Sequence, residues 1–253
     1  MNLAVCIPVS WDKVPTDFLI AFSRLFRPEQ LNGMERLGVK KFWQIFNRVF
    51  PLDLNRNRLG QKSLDLKADA MLFLDADMTF PPDLIPRLIQ DMRETGPAVI
   101  SGLYFKKAPP FPPVSANKIF SRDEQKMFPV EIDSGHPDSM GHLVECDVVG
   151  MGAALISREV LEAIAPPWFE YEVYQKTGER TVTEDVPFCR KAKQAGFKIY
   201  TDLGLECGHI TAITVTRRHW EDQRQKIIAR TAGAITSWFC TGPGESQGKE
   251  NGQ

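Results

Sequence analysis

Short apolar runs recur along this chain, and each is tied to a neighbouring segment with helical spacing. Leu3–Ile7 is closed by Pro8, Met71–Leu74 by Asp75-Ala76-Asp77, and Ala98–Ile100 follows Gly96-Pro97. Brief apolar runs bounded by breakers are the mark of strands buried on both faces. Between them, Asp17–Phe26 and Leu84–Met92 carry Leu, Ile and Phe at helical spacing, which makes one apolar stripe per helix. A chain that alternates in this way buries a sheet between helices. The predicted fold is an α/β sandwich in a single domain over residues 1–240.

The other segments are less sharply written. Pro28 is expected to stop the first helix, and residues 39–50 fit either a strand or a helix. Leu54–Leu66 reads as a polar helix. Pro81-Pro82-Asp83 opens the next, where Pro86 is tolerable because first-turn N–H groups lack helical partners. Residues 106–114, with four prolines, must be extended and irregular. Residues 121–143 suit a hairpin or lid. Val148–Ile156 reads as a glycine-containing strand, with Ser157 placed to cap a short helix to Ile164. Residues 166–182 are irregular, and Thr183 is placed to cap a helix to Ala195, with Gly196 at its end. Phe197–Tyr200 is the last strand expected. An amphipathic helix follows His219 to about Phe239, and residues 241–253 are too polar to be buried, so the tail is expected to be disordered.

Composition removes several classes of function. Lys+Arg 31 against Asp+Glu 32 gives a formal net charge of -1, whereas a nucleic-acid coat or a polybasic membrane binder needs a basic excess. The five cysteines contain no C-x-x-C pair, which argues against a disulfide framework or zinc ribbon. The opening Met1–Pro8 lacks a basic segment before its apolar run and reads as a strand rather than a signal peptide. No apolar run approaches the roughly 18–20 residues that span a bilayer. The expected location is cytoplasmic.

Three positions carry candidate chemistry. Asp75 and Asp77 end an apolar strand, and in an extended segment residues two apart point the same way. Their hard oxygens suit Mg²⁺ or Mn²⁺, especially with a diphosphate as co-ligand; a solvated acidic turn is the plain alternative. Glu184 and Asp185 follow Thr183 at a helix start, where acids also serve the helix dipole. His209 lies just beyond the last strand, where a lone histidine is more often structural than functional.

Taken in order, these segments resemble the GT-A-fold glycosyltransferases, close to the family 2-like enzymes of bacteria and phages. The resemblance rests on Ala68–Pro82 with its Asp-x-Asp, on Val148–Ile156, on Thr183–Cys189 with Gly196–Tyr200, on Gly208-His209, and on the Arg56-Asn57 pair upstream. It implies a Rossmann-like, mainly parallel sheet flanked by helices, and transfer of a sugar from a UDP- or GDP-linked donor to an acceptor hydroxyl. Asp77 would hold Mn²⁺ or Mg²⁺ together with His209. Asp75 would hold the ribose or the metal's water shell. Pro8 and Val9 would sit beside the nucleobase, and Arg56 also falls in the donor site. Gly150, Met151 and Gly152 would let donor and acceptor approach the backbone closely. In inverting members the acid corresponding to Asp185 is the general base, with Glu184 as the other candidate.

Other readings stand beside this one. Leu72–Thr79 also resembles the first motif of haloacid-dehalogenase-type phosphatases, with Asp75 as nucleophile and Asp77 as acid. That motif usually lies at an N-terminus, position 78 is Met where Gly is preferred, and no later acidic pair follows. A non-catalytic nucleotide-sugar-binding relative is a further alternative. Lys106 and Lys107 suit either the diphosphate or plain surface, and Trp168, Phe169, Tyr171 and Tyr174 either a sugar platform or core packing.

Overall fold

The apolar run after Met1 becomes β1 (Asn2–Pro8), buried from Leu3 onward. In the computed structural model, which describes residues 1–9, 13–120, 125–129, 143–173, 180–211 and 214–225, two helices follow: α1 (Thr16–Arg24) and α2 (Pro28–Arg36). The sequence predicts only that Pro28 stops a helix. It also opens the next one, at the first position, where its missing N–H has no helical partner to lose. The ambiguous residues 39–50 resolve as β2 (Lys41–Asn47), parallel to β1. β2 is an edge strand with Trp43 and Ile45 packed into one core and Phe42 into the other, so neither period dominates its sequence.

Next come α3 (Leu52–Asp65), β3 (Ala70–Leu74), the short β4 (Met78–Thr79), α4 (Leu84–Thr95) and β5 (Ala98–Leu103). The stripe predicted on α4 is the buried one: Leu84, Ile85, Leu88 and Ile89 face the sheet. A hairpin of β6 (Ala116–Phe120) and β7 (Gln125–Pro129) begins earlier than the one expected within 121–143; residues 121–124 and 130–142 lie outside the described ones. β8 (Leu143–Glu145) precedes β9 (Ala153–Ser157). The strand predicted to begin at Val148 therefore starts five residues later: Val148 bridges instead to Ala116, and residues 151–152 form a turn.

Ser157 occupies the cap position of α5 (Arg158–Ala163), yet its side chain makes no capping bond, and Oγ is buried without a hydrogen-bond partner among the described residues. After β10 (Glu172–Val173) and β11 (Arg180–Val182) comes α6 (Asp185–Gln194). Its cap residue is Glu184, not Thr183; the Thr183 hydroxyl donates instead to the Asp185 carboxylate. The last central strand, β12 (Lys198–Glu206), runs six residues beyond Tyr200, and β13 (Gly208–Ile210) and β14 (Thr214–Val215) follow it. Residues 217–225 are helical. The expected continuation to Phe239, the tail 241–253, Tyr174 and Cys240 lie outside the described residues.

The central sheet has seven strands in the order β2-β1-β3-β9-β5-β12-β8. Five share one direction, while β9 and β8 run against them. Alternate residues of β1 and β3 feed two cores. Ala4, Cys6, Met71 and Phe73 pack with Leu59 of α3, Val160 of α5 and Phe188 of α6. Leu3, Val5, Leu72 and Leu74 pack with Phe18 of α1, Met34 of α2 and Leu88 of α4. Burial on both faces explains why these strands read as unbroken apolar runs. It also leaves the carboxyl edge, where the parallel strands end, as the place where polar side chains can gather.

Candidate active site

Four strands deliver candidate residues to that edge. β1 ends in Pro8, and Val9 N–H donates to Asn47 at the end of β2. Asp75 follows β3, Tyr104 follows β5, and β12 leads into β13, which carries His209. β9 runs the other way, so Gly150–Gly152 enters it from the same edge, and the Asp75 N–H bonds the Gly152 carbonyl at 2.9 Å.

The two acids of the Asp-x-Asp serve different partners. Residues 75–78 form a turn, closed by Met78 N–H on the Asp75 carbonyl, so the extended geometry expected of them is not present. Asp75 Oδ2 accepts from Arg56 Nη2 at 2.9 Å, and Arg56 Nε donates to Glu184 Oε1, also at 2.9 Å. Arg56 is buried, its guanidinium 5.0 Å from the centre of the Phe73 ring. Burial opposes its charge, but the two carboxylates outweigh that and raise its pKa above the ordinary value. Burial pushes Asp75 up to about 6 despite Arg56, and the nearby Asp77 and Glu184 add to the shift.

Asp77 turns the other way. Its Oδ2 lies 2.5 Å from Lys107 Nζ and 3.7 Å from His209 Nε2. Burial pushes its carboxyl up, yet His209 and Lys107 beside it prevail and hold it at about 2. His209 Nδ1 is 2.8 Å from the Phe105 carbonyl, which can only accept, so Nδ1 carries the proton. In the neutral ring that leaves Nε2 with its lone pair on the Asp77 side. His209 gets there through β13, paired with β4 so that His209 faces Met78. Gly208 permits the approach: a Cβ there would lie 2.4 Å from Thr79 Oγ1.

Tyr104, which belongs to none of the sequence motifs, packs against these groups. Its ring meets His209 edge-on at 5.6 Å. Its hydroxyl accepts from the Gly152 N–H at 3.0 Å. Burial raises its pKa well above the ordinary value, and the charges of Asp75 and Asp185 push the same way. A Cβ at Gly150 would come within 2.0 Å of the Tyr104 oxygen, so the glycine stretch is wrapped around this tyrosine. Its place in the sequence does mark the edge, since Tyr104 follows an apolar strand as Asp75 does.

Asp185 opens α6, half-buried. Burial raises its pKa, and the adjacent Glu184 charge adds to the rise. With Thr183, Lys106, Pro112 and Val148 it lines a cavity of about 80 Å³. Glu184 is buried and committed to Arg56. Thus Arg56, Asp75 and Glu184 form one cluster, and Asp77, Lys107 and His209 another. No group of three His, Cys, Asp or Glu among the described residues is close enough to hold a metal ion. Trp168 and Phe169 belong to the core: Trp168 Nε1 donates to the Leu161 and Ile164 carbonyls, and Phe169 stacks on Phe188 at 4.5 Å. Asn57 fixes them by accepting from both of their backbone N–H groups.

No protein-family model matches the sequence, and no curated protein matches it. Solved structures do. The A197 protein from STIV superposes with a TM-score of 0.54 at 19% identity, over 83% of this chain and 86% of that one. GalNAc-T7, solved with UDP, GalNAc and Mn²⁺, superposes with a TM-score of 0.53 at 13% identity. That match covers 83% of this chain and 44% of the other, so the chain spans less than half of that protein's length. The mixed sheet and its flanking helices form a GT-A-like fold.

Proposed function

We propose that this chain is a glycosyltransferase that moves a sugar from a nucleoside-diphosphate sugar to an acceptor hydroxyl, with inversion. The observation that carries the reading is the placement of Asp77 with His209, and of Asp185 over its own cavity, on one edge of a GT-A-like sheet. GalNAc-T7, which shares the fold, was solved with a nucleotide, a sugar and Mn²⁺.

A carboxylate oxygen and an imidazole nitrogen whose tautomer is set by a backbone carbonyl suit a divalent cation. Asp77 and His209 would hold Mn²⁺ or Mg²⁺, with the diphosphate completing the coordination. When bound, the cation supplies a Lewis acid for the departing nucleoside diphosphate. Asp185 takes the proton from the acceptor hydroxyl, and its raised pKa makes it a stronger base than an ordinary carboxylate. Glu184 is held by Arg56 and shapes the site around Asp185. Asp75 is oriented by the same arginine toward the donor's ribose side of the site. Pro8 and Val9, at the end of β1 beside β2, flank the nucleobase. Gly150 and Gly152 do not leave the backbone open to a sugar as expected: the space beside them is filled by Tyr104, and Met151 is buried.

The phosphatase reading is less well supported. Its nucleophile, Asp75, has Oδ2 engaged by Arg56 and Oδ1 buried, and the fold is the GT-A-like one.

The test is donor turnover. UDP- and GDP-sugars are incubated with the protein and Mn²⁺, Mg²⁺ or EDTA, and free nucleotide is measured. One nucleotide class should be turned over with metal. Asp185→Asn should lower the rate ~10²–10⁴-fold while nucleotide binding persists. A donor bound but never turned over identifies a binding relative, and full turnover in Asp185→Asn removes the general base assigned here.

A further inference from the structure

Lys107 occupies the carboxylate that a metal would need. Its Nζ lies 2.5 Å from Asp77 Oδ2, the oxygen that also faces His209 Nε2. The backbone that carries it is tied down on both sides. Phe105 bridges to Pro113, Lys106 N–H donates to the Pro112 carbonyl, and Phe111 N–H donates to the Ala108 carbonyl. The side chain itself is a third exposed and ends in a compact ammonium on a flexible four-carbon stem. The anchor is fixed and the charge can move.

An ammonium and a divalent cation cannot share one carboxylate oxygen without strong repulsion at such short range. We propose that Lys107 and a divalent cation are alternative counter-ions of Asp77, and that the cation, on binding, releases the Lys107 ammonium to the donor's diphosphate. The first half concerns Asp77 alone; the second rests on the glycosyltransferase reading. While the site holds no cation, Lys107 pairs with the Asp77 carboxylate, whose charge also acts on Asp75. Once displaced, its charge stays within a side-chain length of the same edge, where two or three phosphate charges arrive.

The experiment measures Mn²⁺ binding to the nucleotide-free chain by electron paramagnetic resonance of free Mn²⁺. Parent, Lys107→Met, Lys107→Gln and Asp77→Asn are compared. Lys107→Met should bind Mn²⁺ about tenfold more tightly or better, because the competing charge is gone. Lys107→Gln keeps a hydrogen-bond donor for Asp77 and should behave likewise if the methionine variant folds poorly. Asp77→Asn should lose Mn²⁺ binding. Unchanged or weaker Mn²⁺ affinity in both lysine variants overturns the exchange, as does a lack of Mn²⁺ binding in every form. In a second arm, UDP and GDP are titrated with saturating Mn²⁺. Nucleotide affinity should fall in both lysine variants, and an unchanged value overturns the release to diphosphate. A parent that binds Mn²⁺ but neither nucleotide sinks the glycosyltransferase reading, while the Mn²⁺ arm still decides the exchange.

Discussion

Gly150 shows how one residue can be fixed by a neighbour that local sequence does not reveal. The atom a Cβ would strike is the hydroxyl of Tyr104, at 2.0 Å, with Val114 Cγ1 at 2.7 Å behind it. Gly150→Ala should therefore overpack the site and destabilise by ~1–3 kcal/mol. Tyr104→Phe removes the acceptor of the Gly152 N–H and should cost about 1 kcal/mol on its own. The two changes share one atom, so they should not add: Gly150→Ala should cost less in the Tyr104→Phe background, by at least ~0.5 kcal/mol. Urea unfolding of the four proteins measures this, and equal increments would show that the hydroxyl is not the limiting contact. Arg56 is the other residue whose role depends on context. In sequence it is one basic residue of a polar helix; in the structure it joins Asp75 and Glu184 across the interior.

At the scale of elements, the junction of α4 with β12 determines where His209 is delivered. Arg87 Nη2 pairs with the buried Asp202 at 2.5 Å, and its Nη1 donates to the Gly204 carbonyl at 3.0 Å. Gly204 N–H returns to Asp202 Oδ1 at 2.8 Å. These bonds hold the irregular end of β12, where pairing with β5 jumps from Asp202 to Glu206, and the chain swings into β13. Asp91 of α4 lies in the same cluster, and burial pushes its pKa from 3.8 up to about 7, with the Asp202 charge adding and Arg87 opposing. A carboxyl whose folded pKa is raised contributes stability that is fully present below its unfolded pKa. That contribution is lost as pH rises through about 7. Asp91→Asn imitates the protonated form at every pH. It should match the parent near pH 4 and exceed it by ~1–2 kcal/mol near pH 8. Thermal midpoints at several pH values check this; a gap that does not widen with pH refutes the assignment.

Across the whole molecule, a donor nucleotide would touch the ends of β1, β3 and β12 at once, and so would tie the sheet together. A ligand at a hundred times its dissociation constant stabilises the fold by about 2.7 kcal/mol. In a chain of this size each kcal/mol raises the midpoint by roughly 2–4 °C. UDP or GDP with Mn²⁺ should thus raise the midpoint by roughly 5–10 °C. An equal rise in EDTA would show that the nucleotide does not depend on the cation. The same topology explains why the site needs the complete sheet: Arg56 and Glu184 are 128 positions apart in sequence, yet both reach the end of β3.

The sequence by itself determined which segments are buried, because apolar runs and helical stripes record burial locally. Leu3–Ile7, Met71–Leu74 and the face of α4 follow directly from that. It also put Asp75 and Asp77 just past the apolar run of β3 and Asp185 at the start of α6, whereas His209, expected beyond the last strand, lies inside β13. Tertiary structure alone decided strand direction, which an apolar run does not encode: β9 runs against β3 and β5. It decided the length of β12 as well, where buried Asp202 looks like a strand-breaker until Arg87 meets it. Above all it decided which charge faces which. Asp75 and Asp77 are two residues apart, yet one is held by Arg56 and the other by Lys107. Electrostatic pairing depends on distances of a few ångströms between segments remote in the chain, and only the assembled sheet sets those distances.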